Sequence, residues 1–212
     1  MQRITVVAES MAGLELRPAQ DVELFLREAG GRRVKRRYTI RDARPATGQL
    51  DLDVLMHGHG PGSAWAATVA PGDSIEFQGP RGKLSLRSAG WHLLVGDESA
   101  IPAIASICEA LDEPAFAVIE VDGRDDELPV LAQTRWVHRG GTPAGRAELL
   151  TGVLASMPLP AGAGHAYLMG ETRAMVALRP VVEARGIAHD AVFVKGYWNL
   201  GRPDRLAGRA PA

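Results

Sequence analysis

Cysteine is nearly absent from this sequence: Cys108 is the only one among 212 residues. A single thiol excludes an internal disulfide, a four-cysteine zinc site and a cysteine-held iron-sulfur cluster, and it fits a reducing compartment. An excess of positive charge is missing too, with 24 Lys and Arg against 25 Asp and Glu for a formal net charge of −1. The basic field of a nucleic-acid binder is therefore excluded, and any anion site must be local. No run of about 18 apolar residues occurs, so membrane insertion is not expected, and the short apolar run near Met1 lacks a signal-peptide core. A cytoplasmic protein is the expectation. There is no internal repeat, no low-complexity tract and no Gly-x-Gly-x-x-Gly fingerprint.

What is present is enough chain for two compact lobes, each with its own core. The first ninety residues read as β. Asp21–Leu26 and Leu50–Leu55 alternate apolar with polar, turn residues interrupt the runs, and Ser74–Phe77 reads as a strand between the turns Pro71-Gly72-Asp73 and Gly79-Pro80-Arg81-Gly82. Short strands with frequent turns favour a small antiparallel barrel. Near Gly90 the pattern changes to apolar strands alternating with helical periods. Strands are expected at 91–96, 115–121, 134–139, 166–170 and 191–194, and helices after Asp97, over 144–157 and over 172–184. That alternation argues a doubly wound parallel sheet. The expected domains are 1–89 and 90–212.

Two stretches carry chemistry in the first domain. Arg36-Arg37-Tyr38-Thr39-Ile40-Arg41 puts a cation, a ring and a hydroxyl on one strand, with Arg36 and Tyr38 on one face. His57-Gly58-His59-Gly60-Pro61-Gly62-Ser63 follows as a glycine-rich turn whose amides, with the Ser63 hydroxyl, can hold a pyrophosphate. Together they suit a flavin nucleotide. The plainer alternatives are a strand with a solvated arginine, a His57/His59 metal pair and a Ser63 nucleophile. The last two lack a spaced third ligand and the glycine of a nucleophile elbow.

In the second domain, Gly96-Asp97-Glu98-Ser99-Ala100 sets a helix start at the carboxyl end of a strand, where a dinucleotide would sit if the two acids turn away. Arg139 ends the third strand, as a contact for the 2′-phosphate of NADPH or as a surface cation. Gly170-Glu171 lies at another strand-to-helix junction, where Glu171 can cap the helix. Tyr197 and Trp198 follow the last strand, either as a cover for a ring or as a packed staple.

These marks occur in order together with Gly79-Pro80-Arg81-Gly82, Trp136-x-His138-Arg139 and Gly196-Tyr197-Trp198-x-x-Gly201. The chain thereby resembles, from about Leu16 to Asp204, the siderophore-interacting proteins, FAD-dependent ferric-siderophore reductases of the ferredoxin-NADP reductase superfamily. The resemblance implies an FAD-binding β-barrel followed by an NAD(P)H-binding α/β lobe. It implies that Arg36 pairs with an FAD phosphate, Tyr38 packs beside the isoalloxazine and Thr39 bonds its edge, with Arg41, His57, Gly58, Gly60, Gly62 and Ser63 completing the site. NADPH or NADH is the implied donor, held at 96–100, Arg139, Gly170, Glu171, Tyr197 and Trp198. A ferric siderophore is the implied partner, steered by Arg33, Lys35, Lys195 and Arg202. No catalytic side chain and no metal site of the protein's own is expected. One departure is that the family's first barrel strand is not recognisable ahead of the second. Two other functions stay open: a reductase serving a separate iron-sulfur or haem protein, and a siderophore-binding module without catalysis.

Overall fold

The computed structural model describes residues 1–28 and 30–201. It divides into two compact units, Met1–Ser85 and a second from Leu86 onward.

The first unit is an antiparallel sheet in the order β1-β4-β3-β2-β5. Its strands are β1 (Gln2–Val7), β2 (Asp21–Arg27), β3 (Arg33–Arg44), β4 (Gln49–Val54) and β5 (Phe77–Arg81), with helix α1 (Gly60–Thr68) between the last two. The twelve-residue β3 organises it. Arg33 to Thr39 pair with β2, and Ile40 to Arg44 pair with β4 across a register shift that leaves Arg41 as the extra residue. A bulge of this kind bends a strand and lets it pass from one ladder to the next, as at a barrel corner. Val22, Leu24 and Leu26 of β2, Val34 and Ile40 of β3, and Leu50 and Leu52 of β4 make the core, with Tyr38 and Trp65 packed at its margin. Gln2–Val7, which shows in sequence only as a short apolar run, is a strand paired over six residues with β4.

One strand is displaced from its expected place. It begins at Phe77 and runs through Gly79-Pro80-Arg81, the segment whose composition signals a turn. β5 is the outer strand of the ladder, where a proline's missing N–H costs no rung. Ile75, ahead of it, still packs on the core.

The second unit is a parallel sheet in the order β10-β9-β6-β7-β8. Its elements are β6 (Trp91–Asp97), α2 (Ile101–Cys108), β7 (Ala115–Val121), β8 (Gln133–His138), α3 (Glu148–Ser156), β9 (Gly164–Glu171), α4 (Thr172–Glu183) and β10 (Val192–Trp198). Strands β6 and β9 are buried along their whole length, which explains their unbroken apolar runs. Trp91, Leu93 and Val95 of β6 pack with Leu150 and Leu154 of α3 and Met175, Leu178 and Val182 of α4. On the other face Gly96, lacking a Cβ, lets Ala100 and Ile104 close in; a methyl group there would stand 2.8 and 3.1 Å from their side chains. Helices thus cover both faces, α2 on one and α3 with α4 on the other. Chain order reverses between β6 and β9, the position where doubly wound sheets take their ligands. β10 extends through Gly196-Tyr197-Trp198, so this aromatic pair belongs to the last strand rather than following it.

Candidate functional site

In the first unit the expected glycine-rich turn becomes the opening of a helix. Gly58 and Gly60 take positive φ, 75° and 77°, and α1 starts at Gly60 with Pro61 in its first turn, where a missing N–H is harmless. A Cβ at Gly58 would meet nothing within 4 Å, and one at Gly60 only the His57 ring at 3.9 Å, so this backbone is bare. Gly62 is different. The Tyr38 hydroxyl lies where its Cβ would project, so glycine here lets the Tyr38 ring lie against the helix. Burial pushes the Tyr38 phenol up to about 12. Trp65, one turn further, lies with its ring 6.2 Å from that of Tyr38.

Ser63 does not offer its hydroxyl outward. It is 4% exposed and its Oγ accepts the Gly58 N–H at 3.2 Å, a brace across the turn. The His57 and His59 rings are exposed, 6.3 Å apart, and among the described residues no group of three or more His, Cys, Asp or Glu could hold a metal ion. Arg36 stays on the Tyr38 face of β3, Thr39 is buried against β2, and Arg41 is the bulge residue. A cation, a ring and a bare helix opening are the donor set that an anionic dinucleotide with a flat ring system requires, and they fit FAD.

The cations expected beside them separate by strand parity. Arg33, Lys35 and Arg37 alternate with Val34, Arg36 and Tyr38, so they project from the reverse face of β3. There Lys35, Arg37 and Arg81 converge on the carboxylate of Glu23 at 3.1, 3.4 and 3.1 Å. Arg33 pairs with Glu76 at 2.6 Å and covers the Phe25 ring, 4.2 Å from its centre. Arg33 and Lys35 therefore do not share a face with Arg36 and Tyr38, a correction to the expected rim.

In the second unit the turn after β6 is filled by its own side chains. Asp97 turns inward, 4% exposed. Its Oδ1 accepts the Ser99 N–H and hydroxyl at 2.9 and 2.5 Å, and its Oδ2 accepts the Glu171 N–H and the Trp198 Nε1–H, each at 2.9 Å. Burial nevertheless raises its pKa above the ordinary carboxylate value, against the pull of those four donors. Gly170 lies against the same group; a Cβ would stand 2.6 Å from Asp97 Oδ2. Glu171 caps α4 by accepting the Ala174 N–H at 2.7 Å, and its other oxygen accepts the Leu200 N–H at 3.0 Å. Trp198 is the packed staple, its ring over Gly145. Tyr197 carries the Lys195 ammonium over its ring at 4.9 Å. Arg202 lies outside the described residues.

Arg139 is neither a surface cation nor a free one. Its side chain is 13% exposed, and its guanidinium meets Glu98 at 2.5 Å, Asp122 at 3.6 Å and Glu120 at 3.9 Å. Glu98, buried, thus turns away from the strand end as a salt-bridge partner. Beside this group lies a cavity of about 310 Å³ lined by Glu120, His138, Arg139, Thr142, Arg146 and Glu148 among others. Sequence reasoning passes over Glu120 and Arg146. A lone acid inside the apolar strand Ala115–Val121 was the available signal for the first.

Residues 15–84 match the family described as the siderophore-interacting FAD-binding domain, and residues 89–201 match siderophore-interacting protein. The chain belongs to the siderophore-interacting protein family. An uncharacterised relative from Mycobacterium tuberculosis is 40% identical over 190 residues, covering 81% of this chain and 67% of the relative. The ferric vibriobactin reductase ViuB of Vibrio cholerae is 32% identical over 180 residues, covering 80% and 66%. The chain thus spans about two thirds of the length of each. A siderophore utilization protein from T. fusca superimposes with a TM-score of 0.85 at 28% identity, over 96% of this chain and 88% of that one. Ferredoxin-reductase-like proteins share the layout at 18% identity, a likeness of fold alone. The family's FAD-binding domain spans the Arg36 and Gly60 motifs. Among the described residues no helix is long and apolar enough to cross a membrane.

Proposed function

We propose that this siderophore-interacting protein reduces ferric siderophores with electrons from a nicotinamide dinucleotide and releases ferrous iron. One hydride carries two electrons and each ferric ion takes one, so one reduced nicotinamide serves two ferric chelates and leaves one proton. FAD, when bound, supplies the conversion of an electron pair into single electrons. The protein's part is placement. Arg36 would offset phosphate charge, the Tyr38 ring would offer a face to the flavin, and the bare backbone opening α1 at Gly60 would supply amides to the pyrophosphate. Ser63 keeps that opening in shape from behind by holding the Gly58 N–H. In the second unit Asp97 and Glu171 hold the strand ends at the switch point, where the nicotinamide is expected to approach.

The observation that carries this reading is the pair of matches in order, FAD-binding domain then siderophore-interacting domain, together with the likeness to the ferric vibriobactin reductase. Lys195, beside Tyr197 at the end of β10, is the described cation kept for the anionic chelate; the reverse-face position of Arg33 and Lys35 favours it over them. The test is an anaerobic titration of FAD-loaded protein, first with reduced nicotinamide and then with a ferric chelate, with no protein carrier added. Bleaching of the flavin band, then its recovery with ferrous iron release, is the expected sequence. Protein that takes up no FAD overturns the reading. Protein that is bleached but recovers only when an iron-sulfur or haem protein is added serves a protein acceptor instead.

A further inference from the structure

The two histidines beside the opening of α1 differ in what they can do, a difference whose meaning rests on the FAD role proposed for the first unit. His57 is already committed. Its Nδ1 accepts the His59 backbone N–H at 3.2 Å, so that nitrogen carries no proton and the ring is the neutral tautomer with its hydrogen on Nε2. A proton on Nδ1 would break the bond. Desolvation and the neighbouring His59 both hold the His57 pKa below the ordinary imidazole value. The edge of its ring lies 3.9 Å from where a Cβ of Gly60 would project, beside the bare backbone.

His59 has no such tie. It occupies the cap position of α1, yet its side chain makes no capping bond, and its ring is exposed, 6.3 Å from that of His57. The usual capping residues occupy the first amides of a helix with a side-chain oxygen; histidine here leaves those amides to a ligand. The other titratable groups at the opening come from β3: Tyr38, whose hydroxyl reaches Gly62, and Arg36 on the same strand face. Among the described residues no acid acts on His57. In the free protein a charged His59 would stand at the positive end of a helix dipole and beside a second imidazole, and both oppose the charge. The FAD pyrophosphate reverses that balance. It brings two negative charges to an opening where Arg36 offers one cation, and these residues lie within the 15–84 match to the FAD-binding domain.

We propose that His57 and His59 form a proton-linked clasp for the FAD pyrophosphate: His57 donates from Nε2 as a neutral imidazole, and His59 takes up a proton from solvent as the dinucleotide binds. Because the bound form holds the extra proton, affinity is greatest in mild acid and falls as pH rises past neutrality. His59 supplies the second positive charge only when the anion is there to share it.

The test is calorimetric titration of the FAD-free full chain with FAD at about pH 5.5 and about pH 7.5, a range in which the pyrophosphate diester does not itself titrate. Affinity is expected to fall roughly fivefold across it. Titration near pH 6.5 in two buffers of different ionisation heat is expected to show uptake of about half a proton. His59→Gln should lose most of that uptake and bind with nearly the same affinity at both pH values. His59→Lys, charged throughout, should bind at about pH 7.5 as tightly as the parent does at about pH 5.5. Parent affinity that does not change with pH overturns the inference and needs no variant to do so; the FAD role then stands and only the proton linkage fails. A slope that His59→Gln leaves intact overturns it as well, by assigning the proton to another group. If the parent takes up no FAD at either pH, the FAD role itself falls, and the clasp with it.

Discussion

The indole N–H of Trp198 donates to Asp97 Oδ2 at 2.9 Å, joining the end of the last strand to a turn 101 residues earlier. The same carboxylate takes donors from Ser99 and Glu171, so the carboxyl ends of β6, β9 and β10 meet on one buried acid. Removing the indole donor with Trp198→Phe is expected to destabilise the protein by about 2 kcal/mol, the scale of a hydrogen bond to a charged group. Gly170→Ala is expected to cost at least as much, because its φ of 154° and its Cβ, 2.6 Å from Asp97 Oδ2, are both unfavourable. Denaturant unfolding of the two variants checks this; a Gly170→Ala protein as stable as the parent would show that Asp97 is not held there.

Tyr38 and Gly62 make a second pair. Gly62→Ala places a methyl group on the Tyr38 hydroxyl and is expected to destabilise by about 1–3 kcal/mol, the range for overpacking. Tyr38→Phe removes the clashing oxygen, though its ring carbon remains 3.1 Å from the new methyl. The double variant should therefore recover part of the loss, with a coupling of about 1 kcal/mol in a double-mutant cycle. Additive effects would separate the two residues. FAD affinity, followed by quenching of flavin fluorescence, should fall with Gly62→Ala as the ring is displaced.

At the opposite end of the parallel sheet lies a buried group made of His92, His165 and Tyr167, the last two with ring centres 4.7 Å apart. Among the described residues neither His92 ring nitrogen has a hydrogen-bond partner; Glu113 approaches Nε2 only to 3.5 Å. Burial lowers the pKa of both histidines, that of His165 to about 4. The unfolded chain then binds more protons than the folded one, so stability is present above about pH 6.5 and drains away as pH falls toward 4. His165 alone accounts for about 3 kcal/mol across that interval. His165→Gln should remove this share, so that unfolding measured at pH 7 and at pH 4.5 differs less than in the parent. An unchanged difference would assign the acid sensitivity elsewhere.

Much of the fold was legible because period and punctuation are local signals. The second sheet announced itself through runs such as Trp91-His92-Leu93-Leu94-Val95, apolar because both faces are covered, and through helix periods between them. β5 was misplaced because Gly79-Pro80 reads as a turn wherever it occurs, and only the strand's outer position in the ladder makes proline tolerable there. The segments around Arg36, Gly60, Gly96 and Arg139 stood out in the sequence, but the direction of their side chains did not. Whether Ser63 faces a phosphate or its own turn, and whether Arg139 faces solvent or Glu98, is decided by tertiary neighbours rather than by local sequence. Strand parity, by contrast, was available from the sequence. Arg33, Lys35 and Arg37 alternate with Arg36 and Tyr38, and that alone assigns them to opposite faces.

The position of Trp65 has a practical side. The chain holds four tryptophans, and Trp65 is the one that falls between Met1 and Ser85. Its ring lies 6.2 Å from that of Tyr38, so the first unit carries a single indole fluorophore beside the ring proposed to meet the flavin. Replacing the other three tryptophans with phenylalanine would leave an optical gauge of that unit alone, at the cost of the indole hydrogen bonds of Trp198 to Asp97 and of Trp91 to the Gly162 carbonyl. Energy transfer from this indole to a yellow chromophore could then be read without attaching any label.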